Sequence, residues 1–182
     1  MNEQIQALEK EMVELAEKLF ELRAKAEPEL VGDFSFETAV GTQSLAELFG
    51  DKSELVLIHN MGKACPYCTM WADNLEGSKK HIESRCALVL VSPDPSDVQA
   101  KLAAARGWTF RMVTDATKEF TSAMGFWNET DGWWPGVSTF RKNDDGTIVR
   151  TGKAIFGPGD SFCPAWHFFS LLGIGESDWS PR

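Results

Sequence analysis

Apolar residues Ile5, Leu8, Met12, Leu15, Leu19 and Leu22 recur at alternating intervals of three and four, which puts them on one stripe of a helix. Glu9, Glu11, Glu14, Glu17, Lys18, Glu21 and Lys25 fill the other faces, and Pro28 closes the segment, so residues 1–28 read as an N-terminal amphipathic helix. About three heptads is the lower bound for a coiled-coil seam. Val13 and Phe20 widen the stripe toward ordinary globular packing. Two accounts of the stripe stand: it packs on its own domain, or it is a dimer arm that pairs with a second copy to make a homodimer.

From Asp33 the pattern becomes mixed. Phe34-Ser35-Phe36 alternates as a short half-buried strand, and residues 44–49 predict a short helix with Ser44 as its cap and Glu47 completing a capping box. Residues 54–59 predict a buried strand, followed by a helix to about Ser84 with an irregularity near Gly77. Residues 87–91 form a second buried strand, and 95–106 a helix with Val98 and Leu102 inward. A strand over 108–113 and a helix over 117–124 follow. Residues 137–142 and 147–152 then flank Asn143-Asp144-Asp145-Gly146, a turn signal that predicts a hairpin. The last helix begins at Cys163-Pro164, proline taking its favoured first position, and ends near Gly173. Near-continuous apolar strands separated by helices imply an α/β fold whose parallel sheet is covered on both faces.

A chain of 182 residues suits one domain, over residues 29–182, beyond the N-terminal helix. The formal net charge of -9 argues against a nucleic-acid partner, whose phosphates would be repelled. No apolar run approaches the roughly 18–20 residues of a membrane span, and the polar first ten residues do not resemble a signal peptide, so the expectation is a cytoplasmic protein without a membrane partner. Four cysteines, Cys65, Cys68, Cys86 and Cys163, are too few for a disulfide framework, which turns attention to catalysis or metal binding.

Cys65-Pro66-Tyr67-Cys68 stands where the buried strand feeds a helix, the arrangement of a dithiol redox site. Unpaired backbone N–H groups and the dipole at a helix start stabilise a thiolate by about 0.3–1 kcal/mol, up to about 2 when partly buried. Lys63 would add to this. On this reading Cys65 attacks a protein or small-molecule disulfide and Cys68, one turn in, resolves the mixed disulfide, with no cofactor. Two readings compete with it: half of a zinc site, since C-x-x-C is also zinc-ligand spacing, and a non-catalytic dimeric interaction protein whose redox site is vestigial.

The order of elements resembles the thioredoxin fold in its peroxiredoxin-type elaboration, a central mixed sheet with helices on both faces. More narrowly, the chain resembles the bacterial thioredoxin-like family known as domain of unknown function 899. The residues that carry this are 44–49, Cys65-Pro66-x-Cys68-x-x-Trp71-Ala72-Asp73, Gly107-Trp108-Thr109-Phe110 and Pro135-Gly136-Val137-Ser138. The resemblance covers residues 30–173 and implies a scaffold for thiol redox chemistry, with no settled substrate. Thioredoxins carry a cis-proline before the strand that meets the redox motif, and the matching stretch puts Ser138 in that place, so a trans peptide is expected and the usual docking edge for peptide disulfides is in doubt. The tetrad is similar to the glutaredoxin one, but the Thr-Val-Pro segment for glutathione is absent. Peroxiredoxins carry Pro-x-x-x-Thr-x-x-Cys, and Asn60-Met61-Gly62-Lys63-Ala64 supplies neither the proline nor the threonine.

Cys163 caps the last helix, which should begin at the same end of the sheet as the dithiol, so it is a candidate third redox thiol. With His167 one turn on, Cys65 and Cys68 it would make a Cys3His zinc set; a small core cysteine and an unrelated histidine is the simpler account. His59 closes the strand before the dithiol and could accept a proton from the buried thiol, act as a metal ligand, or serve as a strand-end hydrogen-bonding residue. Cys86 reads as a small core residue and Tyr67 as an exposed filler of the tetrad. Phe126, Trp127, Trp133, Trp134 and Pro135 form an aromatic loop, either a wall over the dithiol, a partner surface or a core plug.

Overall fold

A computed structural model describes residues 2–173 and 179–181. The last part of the expected 29–182 domain, residues 174–178 and Arg182, lies outside the described residues. In chain order the elements are α1 (Glu3–Lys25), β1 (Glu29–Val31), β2 (Ser35–Thr38), β3 (Gly41–Ser44), α2 (Leu45–Leu48), β4 (Glu54–His59), α3 (Pro66–Glu83), β5 (Ala87–Ser92), α4 (Ser96–Arg106), β6 (Arg111–Thr114), α5 (Glu119–Ala123), β7 (Trp127–Asn128), β8 (Gly132–Trp133), β9 (Gly136–Lys142), β10 (Ile148–Ile155) and α6 (Pro164–Leu172).

Several boundaries follow from local chemistry. Asn2 caps α1 through its side chain. Ser44 and Glu47 form the reciprocal capping box of α2. Gly107, at φ 74°, ends α4 in the left-handed conformation that favours glycine. The irregularity expected at Gly77 does not occur, and α3 runs unbroken.

One eight-stranded mixed sheet, ordered β1-β10-β9-β4-β5-β6-β2-β3, holds the domain together. β4, β5 and β6 run parallel, joined by crossovers through α3 and α4, and β9 pairs antiparallel with β4 from His59 opposite Gly136 to Glu54 opposite Arg141. Strand alternation then divides the core in two. Leu55 and Leu57 of β4 and Val89 and Val91 of β5 point to one face, with Phe36, Phe120, Phe126 and Phe140. Ile58, Leu88 and Leu90 point to the other, with Cys68, Trp71, Phe110, Phe156 and Trp166. This is the thioredoxin-like fold in its peroxiredoxin-type form.

The differences from the sequence pattern have tertiary causes. The strand expected over 108–113 is confined to Arg111–Thr114, because Trp108 and Phe110 plug the core beneath α3 before the chain enters the sheet. The helix expected over 117–124 is shorter, since Lys118 takes φ 65° and cannot continue it. In α4, Val98 and Leu102 are only half-buried, and the buried residue is Gln99, whose amide lies within hydrogen-bonding distance of Ser92, Asp94, Val113 and Thr114. A polar hub tying two strand ends to a helix leaves no hydrophobic signal. β1 and β3 are short and mostly exposed, so pairing with β10 and β2 creates them rather than alternation.

No residue of α1 is buried, and Ile5, Leu8, Met12, Leu15, Leu19 and Leu22 are 45–67% exposed. The account in which the stripe packs on its own domain does not hold in this structure.

Candidate active site

Cys65 is the N-cap of α3, and Pro66 occupies the first position, where a missing N–H costs nothing. The Cys65 sulfur accepts the backbone N–H of Cys68 at 3.1 Å, as a capping serine oxygen would. Cys65 is half-buried, whereas Cys68 is 2% exposed and its sulfur accepts the N–H of Met61 at 3.4 Å. The Cys68 thiol donates to Cys65, and this is the main reason the Cys65 pKa falls to about 7, against the opposing effect of burial; the backbone N–H groups of Cys68 and Tyr67 lower it further. The same hydrogen bond, with burial, drives the Cys68 pKa upward. Neighbouring thiols are thereby split into an accessible thiolate and a buried thiol. Such an arrangement can attack a sulfur electrophile with one group and hold a proton on the other.

The loop before the dithiol is held from two sides. Asn60 accepts the Gly62 N–H at 2.8 Å in an Asx turn and reaches the Cys68 carbonyl at 3.4 Å. Asp94, two residues past the end of β5, accepts the Lys63 N–H at 2.6 Å. Lys63 thus anchors the loop through its backbone, and its ammonium is not among the causes that shift Cys65. A Cβ at Gly62, where φ is +96°, would lie 3.1 Å from the Asp94 carboxylate. The Asn-x-Gly turn is visible in the sequence; the reach from Asp94 is not.

His59 does not face the dithiol. Strand alternation puts Ile58 on the Cys68 side of the sheet and His59 on the other, where its ring stacks on Phe126 at 3.8 Å and on Phe120 at 5.6 Å. Its Nε2 pairs with Ser138 Oγ at 2.9 Å, and Nδ1 is buried without a partner among the described residues. It is a strand-end hydrogen-bonding residue, and its role as proton acceptor for Cys68 is excluded by the intervening sheet. Burial first, and the Arg150 charge second, hold its pKa well below the usual imidazole range. The folded protein therefore keeps His59 neutral while the unfolded chain protonates it below about pH 6.5, so its contribution is present above that pH and lost as pH falls. We expect urea midpoints to show up to about 1.4 kcal/mol of lost stability per pH unit below 6.5 from this residue, and a His59→Asn variant to lack that slope. Equal slopes in both proteins would contradict the assignment.

Ser138 is also relocated. It lies inside β9 opposite Leu57, and the residue before the strand is Pro135, level with the loop that begins at Asn60. No cis peptide occurs among the described residues. Trp134 N–H donates to the Phe126 carbonyl at 2.8 Å and Phe156 N–H donates to the Pro135 carbonyl at 2.9 Å, so the backbone beside Pro135 is engaged internally. Phe126 is a core plug, Trp127 and Trp133 pack edge to face across the β7–β8 hairpin with Lys118 over Trp127, and Trp134 is exposed.

Cys163 is the N-cap of α6, but that helix does not begin at the dithiol: the Cys163 sulfur meets Asn74 Nδ2 at 3.4 Å, about 13 Å along α3 from Cys65. It is wholly buried and its pKa is raised by burial. His167 points outward. Among the described residues no three His, Cys, Asp or Glu side chains converge as a metal site, so Cys65, Cys68, Cys163 and His167 do not form the zinc set considered from the sequence. Tyr67 is not an exposed filler; its ring is half-buried, stacked on Trp166 at 6.0 Å and tilted against Trp71 at 6.4 Å. Cys86 is a core residue, as expected.

Residues 2–178 match the family described as "Bacterial protein of unknown function (DUF899)". Among curated proteins no sequence matches. Solved structures similar to this chain include peroxidoxin BcpB from Mycobacterium tuberculosis, with a TM-score of 0.58 and 23% identity over 80% of this chain and 93% of that one. A PrxQ mutant from Xylella fastidiosa gives a TM-score of 0.62 at 12% identity, covering 81% and 95%. Reduced Prx3 from Vibrio vulnificus in complex with H2O2 gives 0.60 at 17% identity, covering 74% and 90%. At these identities the likeness is one of fold. Among the described residues no helix is long and apolar enough to cross a membrane.

Proposed function

Since this chain belongs to the DUF899 family of bacterial proteins, on a thioredoxin-like scaffold, we propose that it is a thiol-disulfide oxidoreductase in which Cys65 attacks and Cys68 resolves. One observation carries the reading: a half-buried thiol with its pKa lowered to about 7 at a helix start, beside a buried thiol whose pKa is raised. The Cys65 thiolate attacks one sulfur of a disulfide, forming a mixed disulfide and expelling the other sulfur as a thiolate. Cys68 then passes its proton to the departing sulfur and attacks Cys65, releasing the second thiol. The chain ends as a Cys65–Cys68 disulfide, oxidised by two electrons, and the substrate as two thiols, one protonated by Cys68 and the other from solvent. A dithiol reductant closes the cycle by the reverse exchange.

The engaged backbone beside Pro135 argues against extended peptides docking there and favours disulfides that reach Cys65 from the solvent side. The test is a pH profile of Cys65 alkylation by iodoacetamide. Reactivity should rise as pH increases through about 7, where an ordinary thiol would need about 8.5. In Cys68→Ala the donating thiol is gone and the midpoint should move upward. A wild-type midpoint at or above 8.5, or no disulfide between Cys65 and Cys68 in redox buffers spanning about -120 to -300 mV, would sink the proposal.

A further inference from the structure

We propose that α1 is the interface of a homodimer in which the helices of two copies pair antiparallel. The seam Ile5, Leu8, Met12, Leu15, Leu19, Leu22 keeps heptad spacing across six positions, and the helix buries none of its residues against its own domain. A helix of this length with one apolar face gains most of its stability from covering that face.

Charge decides the direction. With the seam at positions a and d, Glu11 and Lys18 fall at g, and Arg23 at e. A parallel pair would set Lys18 against Arg23 of the second copy, twice. An antiparallel pair stacks Ile5 on Leu22, Leu8 on Leu19 and Met12 on Leu15 of the second copy, and faces Glu11 with Lys18, also twice. Residues 3–11 carry Glu3, Glu9 and Glu11 against Lys10, and residues 18–25 carry Lys18, Arg23 and Lys25 against Glu21, so the two ends complement each other when one helix is reversed.

The connection to the domain agrees. Residues 26–28 lead straight into β1, whose Glu29 lies opposite Arg150 of β10, and Arg23 lines the edge of an apolar groove of about 420 Å³ walled by Ile58, Trp71, Leu75, Val137 and Ala154. The antiparallel register brings the first turn of the second copy's helix alongside Leu22 and Arg23, at the rim of that groove. Each domain would thus meet the start of its partner's arm.

Light scattering of the full chain should give twice the 20.2 kDa chain mass, and Leu8→Glu/Leu15→Glu should give a monomer that keeps its folded spectrum. Spin labels placed at residue 24 or residue 10, in a Cys65→Ser/Cys68→Ser background, read direction: an antiparallel pair separates residue 24 from its mate by about 30 Å along the axis and residue 10 by about 10 Å, at 1.5 Å per residue. Lys18→Glu should weaken the dimer about 2- to 10-fold, and Glu11→Lys/Lys18→Glu should restore it. A monomer at every concentration, as when the helix folds back on its own groove, would overturn the proposal. So would a dimer that survives Leu8→Glu/Leu15→Glu, or equal label separations at the two sites.

Discussion

On the proposed mechanism, Cys65→Ser should lower the rate of reducing a small aromatic disulfide, with dithiothreitol as electron source, by about 10³-fold or more. A serine hydroxyl can take over the capping hydrogen bond from Cys68 N–H, so the helix start survives while the nucleophile is lost. Cys68→Ser behaves differently. Its Cys65 should still attack, but with dithiothreitol omitted the mixed disulfide has no thiol to resolve it and should accumulate as a covalent adduct visible by mass spectrometry. Cys163→Ser leaves both steps in place, because its sulfur is sequestered against Asn74 rather than facing the dithiol. A Cys65→Ser protein that keeps the wild-type rate, or a Cys68→Ser protein that never traps substrate, would remove these two roles.

Phe126→Ala costs about 3–5 kcal/mol, a large share of the roughly 5–15 kcal/mol that holds a domain of this kind together. Phe126 is fully buried, and its ring is the lid on His59, stacked at 3.8 Å with an interplanar angle of 14°. Its backbone joins the aromatic loop to the core, through its N–H to Thr121 and its carbonyl to Trp134. Neighbouring Gly136 shows how tightly the site is filled: a Cβ there would lie 2.3 Å from Phe126 Cε1 and 2.4 Å from the Ala154 carbonyl. Gly136→Ala should therefore destabilise by about 1–3 kcal/mol or more through overpacking. In the double variant the ring clash disappears and the carbonyl clash remains, so the combined loss should fall short of the sum without returning to the level of Phe126→Ala alone. Urea unfolding of the three proteins measures this. A Phe126→Ala loss under about 1 kcal/mol would mean that the site collapses around the cavity and that the ring is not the plug its burial indicates.

Cys68 and Phe126 lie on opposite faces of one sheet, and the sequence reports on those faces unequally. The dithiol is visible because it is local: a buried strand, two cysteines three apart and a proline at a helix start lie within fifteen residues, and β4 (Glu54–His59) has the bounds its apolar run predicts. The Ser44–Glu47 capping box, the hairpin around Gly146 and the glycine end of α6 are legible for the same reason, since each is settled by neighbours three or four residues away. The heptad seam of α1 also shows in its periodicity, although periodicity says only that a face must be covered, not by what.

Contacts between distant segments are where sequence reading fails. His59 stands six residues before Cys65, yet a strand turns successive side chains to opposite faces, and the sheet separates them. Whether Ser138 or Pro135 stands beside the loop before the dithiol depends on the register of β9 against β4, which is set by pairing across about 80 residues of chain. Cys163 starts its helix as the sequence predicts but meets Asn74 rather than the dithiol, because the placement of α6 against α3 is set by packing among Tyr67, Trp71 and Trp166. By itself, then, the sequence determined the types of the main strands and helices, the helix that carries the dithiol and the pair of thiols at its start. Only the tertiary structure decided which histidine is hidden and which cysteine stands apart, because those depend on strand register and on the face each side chain takes, and local propensity encodes neither.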